Sequence, residues 1–365
     1  MVSSPGPRLR PDLEALPSYK AGQRPAPRTD ITTYKISSNE SHHAPLESVQ
    51  AAIVAAAADV NRYPDPFSRE LIAAISSHFN VPPEHISLGT GSVALCGQII
   101  QSAAGPGDEI LYAWRSFESY PIWTGIAGAH SVQVPLRPDE THDLEAMRNA
   151  ITPRTRVIFI CSPNNPTGQI VDPAELEEFI ANVPSEIVIV LDEAYVEYVP
   201  HEKRAESIRL YREKPNVVVL RTFSKAYGLA GLRVGFAISQ EPISNALRKT
   251  ALPFGVSSIA QAAAIASIEA ESELLERVKS VVAERDRVAR ELKEMGYQLN
   301  PSYANFIWMR LSNDTEAMYQ ALEQAGLSVR PFPSEGLRIS IGETEANNRF
   351  IEVARSVSIA SAVPR

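Results

Sequence analysis

Residues 155–195 read TRVIFICSPNNPTGQIVDPAELEEFIANVPSEIVIVLDEAY. Two stretches of it, TRVIFIC (155–161) and IVIVLD (187–192), are almost unbroken apolar runs rich in Ile and Val. A strand with one wet face alternates polar and apolar residues. A continuous run suits a strand buried on both faces, as in a parallel sheet covered by helices. Each run ends abruptly in polar residues, CSPNNPTG after the first and DEAY after the second. The carboxyl ends of such strands are where open α/β sheets place ligands.

Outward from this stretch the alternation continues. Strands are expected at 85–88, 109–113, 130–136, 217–222 and 233–239, and helices at 46–60, 68–79, from 92, at 117–128 and at 143–151. Strands alternating with helices imply a doubly wound α/β domain with a mostly parallel sheet. The texture changes near 256. Residues 257–295 read as almost wholly helical, and their charges as a solvated helix face. ANFIWMRL, a helix at 314–325, LSVRPF, GLRISIG and a helix at 344–358 then form an α+β pattern. The expected organisation is a proline-broken arm over 1–30 associated with the small domain, a large domain over 31–255 and a small domain over 256–365.

Composition bounds the partners. The chain has 365 residues, with 35 Lys and Arg against 43 Asp and Glu, a net charge of −8. That balance argues against nucleic acid or an anionic membrane as partner. No apolar run approaches the ~18 residues that a membrane span needs, and the N-terminus lacks the apolar core of a secretory signal, so a cytoplasmic protein is expected. Two cysteines, Cys96 and Cys161, cannot build a disulfide framework and read as small core residues. The vicinal pair His42 and His43 has no supporting ligand pattern, so no metal is expected and the pair reads as an exposed loop.

Four clusters carry polar groups out of the apolar background. In RTFSKAYGLAGLRVGF (221–236), Lys225 follows an apolar strand, where desolvation disfavours its ammonium form. A neutral amine can attack a carbonyl. Thr222, Ser224 and Arg233 make a phosphate cup. In DEAY (192–195), Asp192 either caps a helix or holds a cation or a protonated ring nitrogen, and Tyr195 offers a phenol to the same place. CSPNNPTG (161–168) presents Asn164 and Asn165 on a proline-stiffened turn. GTGSVA (89–94) matches a dinucleotide fingerprint, with Glu109 about 20 residues on. But Asp108 and Glu109 precede the next strand, whereas a ribose-binding acid should end it. Gly91 and Ser92 at a helix N-terminus can bind a phosphate without any dinucleotide.

Taken in order, GTGS, SPNNPTG, DEAY and SKAYGLAGLRVGF resemble the fold-type I pyridoxal-phosphate aminotransferases, with an aspartate aminotransferase-like fold, over about residues 10–355. The wording is similar to the histidinol-phosphate aminotransferase family. Within it, GSVALCGQ, AWRSFESYP, VEYV and PFGVSSIAQAAAIAS resemble the aromatic amino acid (phenylalanine) subgroup. The resemblance implies pyridoxal 5'-phosphate as cofactor, with Lys225 forming the internal aldimine and Asp192 pairing with the pyridine nitrogen. Asn165 and Tyr195 would bond the phenolic oxygen, and Phe117 would stack on the ring. Gly91, Ser92, Thr222, Ser224 and Arg233 would hold the phosphate. Tyr63 would reach the phosphate of a neighbouring subunit, which implies a homodimer. Arg338, helped by Asn39, would clamp the substrate α-carboxylate. The implied activity is ping-pong transamination between Phe, Tyr or Trp and 2-oxoglutarate. Histidinol-phosphate transamination is the alternative, with Arg330 and Arg338 as candidates for the substrate phosphate. The chain departs from the family's Asn-Glu-Asn-Pro near its start: in SSNESHHAP (37–45), Asn39 and Glu40 are kept but Ser41, His42 and His43 follow.

Overall fold

The computed structural model describes residues 6–357, apart from 15, 20, 21, 26 and 27. Its strands are β1 (Tyr34–Lys35), β2 (Ile86–Gly89), β3 (Glu109–Trp114), β4 (His130–Pro135), β5 (Thr155–Cys161), β6 (Val188–Asp192), β7 (Val217–Thr222), β8 (Gly235–Ile238), β9 (Phe306–Arg310), β10 (Leu327–Ser328), β11 (Arg330–Phe332) and β12 (Gly336–Ser340). Seven of them form one sheet in the order β2-β8-β7-β6-β5-β3-β4. All its pairings are parallel except the two made by β8.

The apolar runs are buried on both faces, as their composition implies. Side chains alternate between two cores with the two-residue period of a strand. Ile158, Ile160, Ile189, Leu191, Val217 and Val219 face one core, with residues from the helices Glu47–Ala57, Arg69–Phe79, Pro173–Asn182 and Ser258–Glu269. Val157, Phe159, Cys161, Val190, Val218 and Leu220 face the other, where Cys96 and Ile99 of the helix Ser92–Ala103 meet them. Both cysteines are buried and free. A third core holds the antiparallel sheet β11-β12-β9 and the helices Glu271–Glu294, Thr315–Gln324 and Thr344–Ser356. β1 pairs in parallel with β10, which stitches the chain ahead of the large sheet to the small unit.

The change of texture at 256 does not coincide with the change of core. Val256, Ala260, Ala263, Ala264 and Leu274 belong to the large core, while residues from Val278 onward join Ile36, Tyr195 and Tyr198 in the small one. The helix Ser258–Glu269 packs on Glu47–Ala57 because its alanines allow close approach. The N-terminal arm touches both units. Leu16 seats over Gly125, where a Cβ would meet its Cδ2 at 2.1 Å, and Arg10 donates to the Ile126 carbonyl at 2.9 Å. Further along, the Gln23 carbonyl accepts from Ser37 Oγ at 3.1 Å and Ser328 Oγ at 2.7 Å. Among the described residues four α-helices, Pro173–Asn182, Ser207–Glu213, Glu241–Thr250 and the four-residue Pro11–Glu14, escaped the sequence reading. The first had a visible signal. Asp172 caps the amides of Ala174 and Glu175, and proline occupies the first turn.

Candidate active site

The parallel strands carry their carboxyl ends to one edge of the sheet. Register sets Cys161 beside Asp192, Asp192 beside Leu220, and both Gly89 and Thr222 beside Gly235. β8 runs the other way, so the segment before it, with Arg233, returns to the same edge. The four polar clusters therefore converge on one cavity of about 580 Å³. Its lining includes Asn39, Ser92, Phe117, Asn165, Asp192, Tyr195, Thr222, Ser224, Lys225, Arg233 and Arg338. Gly91 adjoins it as the residue preceding the helix Ser92–Ala103.

Lys225 follows the turn after β7. Its amine donates to the Ser38 carbonyl at 3.1 Å. Enclosure by the pocket walls, with Arg338 as a second cation, lowers its pKa to about 7. The amine is then roughly nine-tenths neutral at pH 8, where an ordinary lysine is almost wholly charged. Reductive methylation of Lys225 in the ligand-free protein should therefore rise with pH to a midpoint near 7. A midpoint near 10 would contradict this reading.

Asp192 ends β6 and is buried. One carboxylate oxygen accepts a 2.6 Å bond from the Tyr120 hydroxyl, while Oδ1 has no partner. Burial raises its pKa to about 6, against the opposing pull of Tyr120. A buried, half-satisfied carboxylate is costly unless a donor or cation completes it. Its free oxygen marks where such a group fits. Tyr120 was not singled out from the sequence, although it lies in the same RSFESY segment as Phe117. Phe117 stands edge-on to the Tyr120 ring with centroids 5.6 Å apart.

The anion cup lies between two chain reversals. Gly91 has φ 81° and makes no side-chain cap, which leaves the first amides of the helix Ser92–Ala103 open. A Cβ at Gly91 would stand 2.5 Å from Arg233 Nη2, so only glycine lets the guanidinium approach. Arg233 donates to Ser224 Oγ at 3.4 Å and to the Ala230 carbonyl at 2.9 Å, and the Ser224 amide donates to Thr222 Oγ1 at 3.1 Å.

Arg338, on β12, donates to Asn165 Oδ1 at 2.5 Å and to the Ser37 carbonyl at 2.7 Å, and its buried Nε has no partner. Asn39 is held by Ser340, which receives its amide N–H at 2.8 Å and donates to its Oδ1 at 2.9 Å. Asn39 Nδ2 in turn donates to the Tyr195 hydroxyl at 2.9 Å. Burial pushes that phenol well above its ordinary range.

Several expectations change. Asp192 caps no α-helix; a short 3₁₀ turn, Val196–Tyr198, follows instead. Tyr63, expected to reach a neighbouring subunit's site, lies outside this chain's own cavity, a position that leaves that expectation open. It is 82% exposed and stacks on Phe254 at 4.6 Å. His42 and His43 do not form a fully exposed loop. Both are half-buried, each with one unpartnered ring nitrogen, and burial lowers both pKa values. The cavity also has walls that the motifs did not announce: Tyr19, Ile122, Trp123, Ile126, Glu118 and Arg330. Trp123 lies against Gly97, where a Cβ would meet its ring at 2.6 Å. Among the described residues, no helix is long and apolar enough to cross a membrane.

Comparison with known proteins agrees with this geometry. The family model for aminotransferase class I and II matches residues 32–353. An aromatic amino acid aminotransferase of Streptomyces coelicolor is 56% identical, over 97% of this chain and 98% of that protein. One of Thermobifida fusca is 53% identical, over 96% and 97%. Among solved structures, the histidinol-phosphate aminotransferase of Sinorhizobium meliloti, in complex with pyridoxal-5'-phosphate, superposes with a TM-score of 0.88. It is 29% identical, over 97% of this chain and all of that one. A Thermus thermophilus aspartate aminotransferase at 24% identity shares the fold, with a TM-score of 0.80. Sequence, fold and the convergence of four loops on one cavity agree: the chain belongs to the aminotransferase class I and II family.

Proposed function

We propose that this protein is a pyridoxal 5'-phosphate-dependent aminotransferase of aromatic amino acids. One observation carries the reading. A single cavity joins a readily deprotonated lysine, a buried aspartate with an unpartnered oxygen, and a buried arginine with an unpartnered nitrogen. The residues fit the cofactor. Gly91, Ser92, Thr222, Ser224 and Arg233 would hold its phosphate, Asp192 would pair with its ring nitrogen, and Phe117 would cover its ring. Asn165 and Tyr195 would bond its phenolic oxygen, and Lys225 would anchor it. When bound, it supplies an electron sink for the carbanion left by loss of a substrate Cα proton.

The protein's own residues do the rest. Arg338 takes the substrate α-carboxylate in a two-pronged bond and so orients the Cα–H toward Lys225. Lys225, about half neutral at pH 7, is placed to accept that proton and to hand it on. Asp192 stays anionic against the cation it faces. Because one arginine can receive successive carboxylates, amino acid and 2-oxoglutarate take turns in a ping-pong cycle. Keeping the carboxylate clamped also argues against decarboxylation. Tyr63, exposed and stacked on Phe254, whose cavity also takes in Phe67 and Leu252, belongs to an apolar surface suited to a homodimer, from which it would reach the partner's site.

The aromatic preference is supported by the apolar wall of Tyr19, Ile122, Trp123 and Ile126 and by the names of the curated relatives. The second reading is transamination of histidinol phosphate. It is favoured by Arg330 lying near Arg338 and by the likeness to the Sinorhizobium enzyme. With 2-oxoglutarate as common acceptor, kcat/KM for L-phenylalanine should exceed that for histidinol phosphate by at least about tenfold, the scale of one well-placed contact. The reverse order would replace the first reading by the second.

A further inference from the structure

Glu140 is a buried carboxylate, 5% exposed, that does not line the cavity and has no part in the chemistry described above. It sits in a tight turn. Its amide donates to the Arg137 carbonyl at 2.8 Å, and the Arg137 amide donates to the Thr141 carbonyl at 2.9 Å. Its φ of 69° is left-handed, a conformation that few residues other than glycine adopt and that persists only where the surroundings hold it. Here the surroundings hold both carboxylate oxygens. Oε1 accepts from the Trp308 indole at 2.9 Å, and Oε2 accepts from Asn300 Nδ2 at 3.0 Å. The largely exposed Arg310 comes within 3.6 Å of Oε1. All three partners lie on β9 or in the segment leading into it.

These attachments lead to two residues of the site. Trp308 stands directly opposite Arg338 in the β9-β12 register, so both side chains leave the same face of the small sheet. At its backbone, Glu140 offers its carbonyl to Thr167 Oγ1 at 3.3 Å. Thr167 Oγ1 in turn accepts from Asn164 Nδ2 at 3.1 Å, within the turn that presents Asn165. The Tyr303 amide donates to the Gly168 carbonyl at 2.8 Å, and Gln169 Nε2 to the Pro301 carbonyl at 3.0 Å, which draws the same two segments together. Arg338 itself donates to Asn165 Oδ1. Glu140 therefore grips both the strand beside the guanidinium and the loop that bears its acceptor. A two-pronged bond to a carboxylate tolerates little error in where the guanidinium stands. A fully bonded carboxylate in a poorly screened interior holds its donors firmly.

We infer that Glu140 is a positioning residue for the α-carboxylate clamp: it fixes Arg338 against Asn165, through Trp308 on one side and Thr167 on the other, from outside the cavity. This rests on the role proposed for Arg338 and adds to it a residue that acts through the small sheet.

The test uses cofactor-loaded protein and two unreactive ligands of one shape, 3-phenylpropanoate and 3-phenylpropanamide, with dissociation constants read by calorimetry. Their ratio isolates what the carboxylate gains. Glu140→Ala should lower that ratio by about tenfold, inside the loss that a misplacement of about 1 Å can cause, while the amide binds as before. KM for L-phenylalanine and for 2-oxoglutarate should rise together, because both present an α-carboxylate. Trp308→Phe keeps a ring and removes the indole N–H. It should lower the ratio in the same sense, and the double variant should be no worse than Glu140→Ala alone, whereas residues in separate roles would multiply their losses. Equal weakening of both ligands would make Glu140 a merely structural residue and overturn the inference; so would an unchanged ratio, or losses that multiply. If Glu140→Ala fails to fold, the ratio in Trp308→Phe decides. A wild-type protein that does not prefer the carboxylate to the amide overturns the role of Arg338, and the inference with it.

Discussion

Lys225→Ala is expected to abolish turnover, with kcat lower by at least about four orders of magnitude, the upper range for a positioned acid-base group. It should also remove the visible absorbance of covalently held cofactor and leave borohydride no adduct to fix. The fold should survive. The amine makes one hydrogen bond, to the Ser38 carbonyl, and burial together with Arg338 already works against its charge. Removing a disfavoured cation costs little, so thermal unfolding should move by only a few degrees. Loss of turnover with an intact melting transition separates a chemical role from a folding one. Retained turnover would refute the role assigned to Lys225 and with it the proposed chemistry.

Asp192→Asn comes next in size. The carboxylate stands at the end of β6 with Oδ1 unpartnered and Oδ2 receiving the Tyr120 hydroxyl. An amide fills the same volume without the negative charge, so it cannot hold a proton on a ring nitrogen set against it. Loss of a preorganised electrostatic group of this kind costs about 10²–10³ in kcat, and more where the charge is buried. KM for the amino acid should change far less, because Arg338 is untouched. An equal rise in KM with kcat preserved would reassign Asp192 to substrate binding. Tyr120→Phe tests the same point more gently. A hydrogen bond to a charged group contributes about 1.5–3 kcal/mol, which predicts a loss of roughly ten- to a hundredfold. Without that donor the protonated carboxyl is favoured further, so the pKa of about 6 in the ligand-free protein should rise, not fall.

Much of this site was legible because strands and their ends have local signatures. TRVIFIC and VVVLRT fall on β5 and β7 residue for residue, since a run of Ile and Val has no amphipathic alternative. The residues after those runs reach the ligand edge by topology alone, so Asn165, Asp192, Tyr195 and Lys225 could be named without coordinates. Short helices were missed where prolines and charges masked the period. Helical texture does not say which core a helix joins, so the residues after 256 divide between two cores.

Composition and local pattern by themselves determined the layered α/β sheet and the four polar loops at its edge, because those features repeat over a few neighbouring residues; the family came from the resemblance that the wording of those loops carries. Only the tertiary structure decided what those loops meet. Tyr120 bonds Asp192 across 72 positions, and Arg330 bonds Glu118 across 212. Whether a buried charge is matched or open is a property of the assembled cavity. It depends on through-space distance in a poorly screened interior, which no window along the chain contains.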